Sequence, residues 1–211
     1  MIAVVDLMIS NMASVINALR LIGASGHVPA KPENVPGADA VILPGVGAFG
    51  DGMASLREQG LIEPIRVAVR GGTPVLGICL GMQLMASRSS EFGDHEGLGL
   101  LPGRVERLVA DRPGYRVPNI GWCDVSSTRK GVLFPDAAGG CYYHVHSFHL
   151  VADDPAMVAA TTEFSGRSVA VAIESGNLFG VQFHAEKSQD DGLAILSRFL
   201  RYISARSGAN A

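Results

Sequence analysis

The chain has 211 residues, 47% of them hydrophobic, which is enough for one domain, residues 1–211, to bury a full core. Its 20 acidic and 17 basic residues give a net charge of −3 without a long basic run, so we expect no nucleic-acid partner. Asp6 interrupts the first apolar run, which argues against a signal peptide or membrane association. Three cysteines do not suggest a disulfide framework, so we expect a reducing, cytoplasmic setting.

Strand and helix patterns alternate along the first part of the chain. Short β-branched runs predict buried strands at residues 2–5, 41–43, 75–78 and 179–183. Helical periodicity of apolar residues predicts helices at 14–22, 53–70 and 192–203, followed by a frayed tail at 204–211. The alternation predicts an α/β fold in which a mostly parallel open sheet carries helices on both faces. The Gly-, Pro- and aromatic-rich region from 102 to 150 predicts antiparallel strands at the sheet edge.

A glycine-dense loop at residues 43–51 follows the second predicted strand. Small residues let backbone N–H groups turn toward an anion such as the tetrahedral oxyanion of acyl transfer. The loop is not a phosphate-binding P-loop, because no Gly-Lys-Ser/Thr follows it. A plain strand-to-helix turn is the alternative interpretation.

Cys79 stands where a predicted strand passes directly into a helix, in the sequence Gly77-Ile-Cys-Leu-Gly81. This is the nucleophile-elbow pattern with Cys in place of Ser, and its glycines allow a tight, strained turn. A cysteine at a helix N-terminus is favoured as the nucleophilic thiolate, and the N–H of Leu80 would face an oxyanion. A buried core cysteine is the alternative.

Three histidines, His144, His146 and His149, invite a metal-binding interpretation. On a regular strand the first two share a face, but His149 points to the other face, and no nearby Cys or carboxylate completes a ligand set. We therefore expect neither a metal nor another cofactor.

Near the end of the chain, an imidazole and a carboxylate lie two residues apart. If the strand continues to Glu186, then Gln182, His184 and Glu186 share one face, which suits a base oriented by a carboxylate. An isolated His-x-Glu is more simply a solvated strand end. Here it accompanies Cys79, and both lie at carboxyl ends of strands, where parallel sheets bind ligands. The combination predicts a Cys-His-Glu triad.

The sequence resembles the class I, triad-type glutamine amidotransferases and, within them, the glutaminase subunits that serve imidazole glycerol phosphate synthases. The segments that carry the resemblance are PGVGAFGDGM at 44–53, GICLGMQLM at 77–85, GLGLLPGRV at 97–105, NIGW at 119–122, HVHSF at 144–148 and GVQFHAEKSQ at 180–189. They follow the family's order and span nearly the whole chain. The resemblance implies a flavodoxin-like fold and hydrolysis of glutamine to glutamate and ammonia.

The resemblance also implies roles for particular residues. Cys79, His184 and Glu186 would form the triad, and the N–H groups of Val46 and Leu80 would form the oxyanion hole. Glutamine would bind near Gly47, Gln83, Glu91, Ser147 and Phe148, with the carboxylate of Glu91 facing the substrate ammonium. Asn11 and Lys187 would face the partner, a (β/α)₈-barrel synthase subunit that closes the imidazole ring in histidine biosynthesis. The expected assembly is a heterodimer.

Three positions depart from the family pattern. Residues 6–11 replace a usual glycine-rich stretch, Ala185 replaces a usual proline between the catalytic His and Glu, and Cys123 replaces a usual polar amide. These departures leave open the synthase that is served, and the alternative is a related subunit that supplies ammonia to an amidino-sugar synthase of surface polysaccharide synthesis. A catalytically silent regulatory module that keeps the fold is a separate alternative, against which the intact triad argues.

Overall fold

A computed structural model describes residues 1–7, 12–24, 26–135 and 139–209. The strands are β1 (Ile2–Val4), β2 (His27–Pro29), β3 (Ala40–Gly45), β4 (Val75–Cys79), β5 (Ala86–Ser89), β6 (His95–Glu96), β7 (Leu101–Arg107), β8 (Asn119–Ser127), β9 (Gly140–His146), β10 (Phe148–Ala152), β11 (Val158–Phe164), β12 (Arg167–Ser175) and β13 (Leu178–Val181). The helices are α1 (Met12–Leu21), α2 (Phe49–Glu58), α3 (Ile62–Arg70), α4 (Leu80–Leu84) and α5 (Gln189–Ala209), with 3₁₀ turns at Pro155–Met157 and Ala185–Lys187.

The larger sheet has the order β2-β1-β3-β4-β13-β12-β11-β8-β9. Neighbours from β2 to β13 pair in parallel, and the pairs from β13 to β9 are antiparallel. This arrangement confirms the predicted α/β fold with an antiparallel edge. A second sheet, β10-β7-β5-β6, was not predicted. The chain passes from one sheet to the other between β9 and β10, at Ser147.

Two apolar clusters cover the two faces of the parallel strands. Along β1, Ile2 and Val4 belong to one cluster and Ala3 to the other, as the two-residue period of a strand requires. The first cluster includes buried residues of α1 and α5, and the second includes buried residues of α2 and α3. The parallel part of the sheet therefore has helices on both faces, because its strands are apolar throughout.

Three predicted element boundaries were wrong. The helix predicted at 53–70 is two helices, because the chain turns at Gly60, whose φ of +66° lies in the left-handed region. The last helix runs from Gln189 to Ala209, beyond the apolar periodicity on which the prediction rested and into the predicted tail. The last parallel strand ends at Val181, not at residue 183. Within the described ranges, no helix has both the length and the apolar character needed to cross a bilayer.

Candidate active site

The turn from β4 into α4 has the geometry predicted for a nucleophile elbow. Cys79 has φ +54° and ψ −113°, a strained backbone conformation for a residue other than glycine. A Cβ on Gly81 would lie 1.6 Å from the carbonyl oxygen of Leu43, and one on Gly77 would lie 2.6 Å from the backbone nitrogen of Met82. Both flanking positions therefore require glycine, and the tight packing that they allow holds Cys79 in its strained conformation.

The imidazole of His184 bonds to the carboxylate of Glu186, with 2.8 Å between Nδ1 and Oε1. Both side chains are almost fully buried. The prediction that a continuous strand aligns them was wrong, because Ala185–Lys187 is a 3₁₀ turn. The turn is fixed from its main chain: the His184 N–H donates to the carbonyl of Tyr143 at 2.9 Å, and the Ser188 hydroxyl donates to the His184 carbonyl at 2.7 Å.

The charge of His184 is set by two opposing effects. Burial lowers its pKa, but hydrogen bonds and charge interactions with Cys79 and Glu186 outweigh the burial, so the pKa rises to about 10. The protonated ring is therefore the favoured form near neutral pH when it lies between the sulfur and the carboxylate. A cationic imidazole beside the sulfur stabilises a thiolate and holds a proton for a leaving group.

The sulfur of Cys79 has two further polar neighbours. Its Sγ lies 3.9 Å from the carbonyl oxygen of Val145 and 3.7 Å from the amide nitrogen of Gln182. The sequence placed Gln182 on the same face as His184, but we assigned it no role. Gln182 also accepts a hydrogen bond of 2.9 Å from Gln83, so the amide that approaches the sulfur is held in place by a second buried amide.

A cavity of about 270 Å³ opens beside Cys79. Its size suits a small metabolite, since pockets for drug-sized ligands reach roughly 300–1,000 Å³. The residues that line it are Val46, Gly47, Cys79, Leu80, Gln83, Glu91, Pro118, Val145, His146, Ser147, Phe148, His184 and Lys187. This set contains every predicted site residue except Glu186, which lies behind His184, and Asn11. It also contains Pro118 and Val145, to which the sequence assigned no function, and His146, for which only a metal-binding role was considered and set aside.

A larger cavity, of about 620 Å³, lies elsewhere, between the start of the chain and α5. Its lining includes Asp39 and Arg201 but neither a cysteine nor a histidine. The smaller cavity is therefore the candidate active site, because it holds the strained cysteine and the imidazole that can activate it.

At the glutamine-binding positions predicted for this cavity, one carboxylate stands out. Glu91 is mostly buried, and its Oε2 accepts a hydrogen bond of 2.7 Å from the backbone N–H of Phe49 at the start of α2. Burial raises the pKa of Glu91, and the bond to Phe49 only partly offsets this effect. A cationic ligand group would relieve the cost of burying the charge.

Other predicted features have different outcomes. Asn11 and residues 8–10 of the first departure lie outside the described residues. Ala185 is buried in the 3₁₀ turn, and the sulfur of Cys123 lies 3.6 Å from the Asn119 amide nitrogen. Across the described ranges, no cluster of three or more His, Cys, Asp or Glu side chains could hold a metal ion. Instead, His144 and His146 bond to each other.

The fold, the strained cysteine and its buried imidazole–carboxylate pair define a class of protein. Residues 3–202 match the family model described as glutamine amidotransferase class-I, and the chain belongs to this family. The chain is 47% identical over 199 residues to "Imidazole glycerol phosphate synthase subunit HisH" of Moorella thermoacetica, an alignment that covers 94% of this chain and 93% of that protein. It is 40% identical over 209 residues to "Imidazole glycerol phosphate synthase subunit HisH 1" of Legionella pneumophila strain Lens, which covers 95% and 98%.

A solved structure supports the fold. The structure of PurLQS from Thermotoga maritima superposes with a TM-score of 0.72 at 22% identity, covering 96% of this chain and 98% of that one. At this identity the likeness concerns the fold alone.

Proposed function

We propose that residues 1–211 form one glutamine amidotransferase domain that serves as the glutaminase subunit of an imidazole glycerol phosphate synthase. The observation that carries the proposal is the strained Cys79 beside the buried His184–Glu186 pair. That site lies in a chain that matches HisH relatives over nearly the full length of both sequences. The reaction is the hydrolysis of glutamine to glutamate and ammonia, and the ammonia is used in histidine biosynthesis.

The first half of the reaction acylates the cysteine. The thiolate of Cys79 attacks the side-chain amide carbon of glutamine, and the carbonyl oxygen becomes an oxyanion. The N–H groups of Val46 and Leu80, two residues that line the cavity, stabilise that charge. Protonated His184 then transfers its proton to the amide nitrogen, which leaves as ammonia while a thioester forms on Cys79.

The second half releases glutamate. Neutral His184 removes a proton from a water molecule that attacks the thioester carbonyl, and Cys79 leaves again as the thiolate. Glu186 keeps Nδ1 of the ring protonated and directs the other ring nitrogen to the reaction, because its carboxylate accepts from Nδ1 at 2.8 Å. The imidazolium is stabilised by the same carboxylate, which is almost fully buried.

The cavity recognises glutamine through the α-amino and α-carboxylate groups of the substrate. The buried Glu91 carboxylate pairs with the substrate ammonium, which supplies the positive charge that its position lacks. Gly47, Gln83, Ser147 and Phe148 line the remainder of the cavity and hold the substrate so that its amide carbon lies at Cys79.

The proposed partner is a (β/α)₈-barrel cyclase subunit that forms a heterodimer with this chain. Ammonia released into water takes up a proton and is no longer a nucleophile, so it must pass directly to the enzyme that uses it. An apolar patch, which we define as Ile120, Trp122, Tyr143 and Val145, lies on the β8–β9 ribbon, where Ile120 pairs with Val145 and Trp122 with Tyr143. Ile120 and Trp122 are exposed, and Tyr143 and Val145 are half-buried.

This patch adjoins the active site, because Val145 also lines the cavity and its carbonyl oxygen lies 3.9 Å from the sulfur of Cys79. Exposed aromatic and aliphatic side chains of this kind are typical of protein interfaces. Lys187 lines the same cavity and is proposed to form an ion pair with an acid of the barrel. A barrel that covers the patch would take up ammonia next to where it forms.

The proposal is tested by mixing the chain with an imidazole glycerol phosphate synthase barrel and its ribonucleotide substrate, and measuring glutamate release. We expect the barrel to accelerate glutamate release well above the rate of the chain alone. If that barrel has no effect and an amidino-sugar synthase accelerates the reaction, the pathway assignment is wrong. If the chain releases no glutamate alone or with either partner, glutaminase activity is excluded.

A further inference from the structure

Two buried histidines, His146 in the lining of the glutamine-binding cavity and His144 beside it, have no role in the mechanism described so far. His144 is fully buried and His146 nearly so, and both extend from the same face of β9. The Nδ1 of His144 lies 3.2 Å from the Nε2 of His146, and the Nδ1 of His146 lies 2.9 Å from the carbonyl oxygen of Phe148. The two rings thus form a chain of hydrogen bonds that ends at a residue lining the cavity.

The tautomers of both rings follow from this geometry. A carbonyl oxygen can only accept, so Nδ1 of His146 carries the hydrogen that it donates to Phe148. In the neutral ring Nε2 is then an acceptor, and Nδ1 of His144 must donate to it. Burial lowers the pKa of His144 to about 3 and that of His146 to about 4, so both rings are neutral near pH 7. The remaining nitrogen of His144, Nε2, is a buried acceptor with no partner in the described part of the protein.

The carbonyl that receives this chain is fully engaged. The side-chain amide of Gln83 also donates to the Phe148 oxygen, at 2.9 Å, so both of its lone pairs are occupied. The neighbouring carbonyl of Ser147 accepts from the backbone N–H of Leu108 at 2.8 Å. Both carbonyls at the junction between the two sheets are thereby directed to fixed donors, and both residues, Ser147 and Phe148, line the cavity.

We infer that His144 and His146 are positioning residues, which hold the Ser147–Phe148 junction in the orientation that binds glutamine. His146 acts through the Phe148 carbonyl, and His144 acts by donating to the Nε2 of His146, which holds that ring in place. The inference rests on the proposed function, since it assigns the junction to glutamine binding. It predicts that losing the donor of His146 weakens substrate binding and leaves the chemistry at Cys79 largely intact, because neither histidine bonds to the triad.

The experiment compares His146→Leu with His146→Asn, two side chains of nearly the same shape. The asparagine amide nitrogen lies near the position of Nδ1 and can donate to the Phe148 carbonyl, whereas leucine cannot. We expect His146→Leu to raise the KM for glutamine roughly tenfold, the effect of one lost buried hydrogen bond, while kcat changes less than about threefold. His146→Asn should recover most of the affinity. Equal KM values for the two variants, whether both raised or both unchanged, would overturn the inference.

A second measurement does not depend on activity. Nitrogen-15 NMR of histidine-labelled wild-type protein should show both buried rings as the Nδ1–H tautomer throughout the neutral range. His144→Phe keeps an aromatic ring beside Phe183, which His144 contacts at 5.8 Å between ring centroids, but removes the donor to His146. In that variant the Nε2 resonance of His146 should move, because that nitrogen loses its donor, while Nδ1 keeps its proton. An unmoved Nε2 resonance would contradict the bond between the two rings. An Nε2–H tautomer for His146 in the wild type would refute the hydrogen-bond chain, even if glutamine proved not to be the substrate. Conversely, confirmed tautomers without glutaminase activity would overturn the proposed function alone.

Discussion

Replacing Glu186 by Gln changes one charge in the site and almost no volume. The carboxylate bonds to His184 at 2.8 Å in a nearly solvent-free setting, so the bond is charge-assisted when the ring is protonated. Such bonds contribute about 1.5–3 kcal/mol, or roughly 10- to 150-fold in a rate that depends on the imidazolium. The same energy corresponds to a fall of about one to two units in the pKa of His184.

The assay is the pH dependence of glutaminase kcat/KM with the barrel present, supported by the rate at which iodoacetamide alkylates Cys79 in the isolated chain. We expect the alkaline limb of the profile, where the imidazolium loses its proton, to move down by about one to two units in Glu186→Gln. Glu33→Gln, at an exposed position, is the matched control and should match the wild type. An unshifted alkaline limb with a rate within about twofold of wild type would refute the role of Glu186.

The same pair makes stability depend on pH. The folded-state pKa of His184, about 10, lies above the ordinary value of a histidine, about 6.5. Its contribution to the free energy of unfolding is therefore fully present below about pH 6.5 and is lost as the pH rises toward about 10. Urea unfolding at a series of pH values should show this decline end at lower pH in Glu186→Gln, and a decline identical in both proteins would contradict the pairing.

Three further predictions concern the elbow, the substrate and the partner. Gly81→Ala should lower the free energy of unfolding, measured by urea titration, by about 3 kcal/mol or more, because its Cβ would overlap a β3 carbonyl. Gly37→Ala, with open space around it, should be nearly neutral, and equal effects of the two substitutions would contradict the close packing. Glu91→Gln should raise the KM for glutamine at least about tenfold in steady-state assays, and an unchanged KM would remove Glu91 from ammonium binding. Trp122→Ala should weaken the binding free energy for the barrel, measured by calorimetry, by about 1–3 kcal/mol. Leu21→Ala, at another exposed position, should leave it unchanged, and equal affinities of the two variants for the barrel would exclude the patch as the interface.

The sequence predicted the local features of this site better than the distant ones. The elbow at Cys79 could be predicted because its requirement for small neighbours is local, at Gly77 and Gly81. The closeness of His184 and Glu186 was predicted on an incorrect backbone, since a spacing of two residues brings side chains together in a 3₁₀ turn as well as on a strand. The turn exists because the chain leaves β13 at Val181, a boundary that apolar runs do not indicate.

Contacts between distant parts of the chain were beyond the sequence patterns. Glu91 bonds to the backbone of Phe49, 42 residues away, and only the family resemblance indicated its place in the cavity. The shared face of His144 and His146 was predicted from strand periodicity, but the bond of His146 to the Phe148 carbonyl depends on how the second sheet meets the first. That second sheet was not predicted, because the antiparallel strands expected between 102 and 150, which include most of β7, were all assigned to the edge of the first sheet.

The central claim is that Cys79 serves only to release ammonia from glutamine for a partner that uses it. The most direct test reconstitutes the complex of Cys79→Ala with the imidazole glycerol phosphate synthase barrel and measures product formation from glutamine and, separately, from added ammonium salts. We predict that the glutamine-dependent reaction is abolished, because the nucleophile is gone, while the ammonium-dependent reaction keeps its wild-type rate. Loss of both reactions in a complex that still assembles, or continued synthesis from glutamine, would contradict the claim.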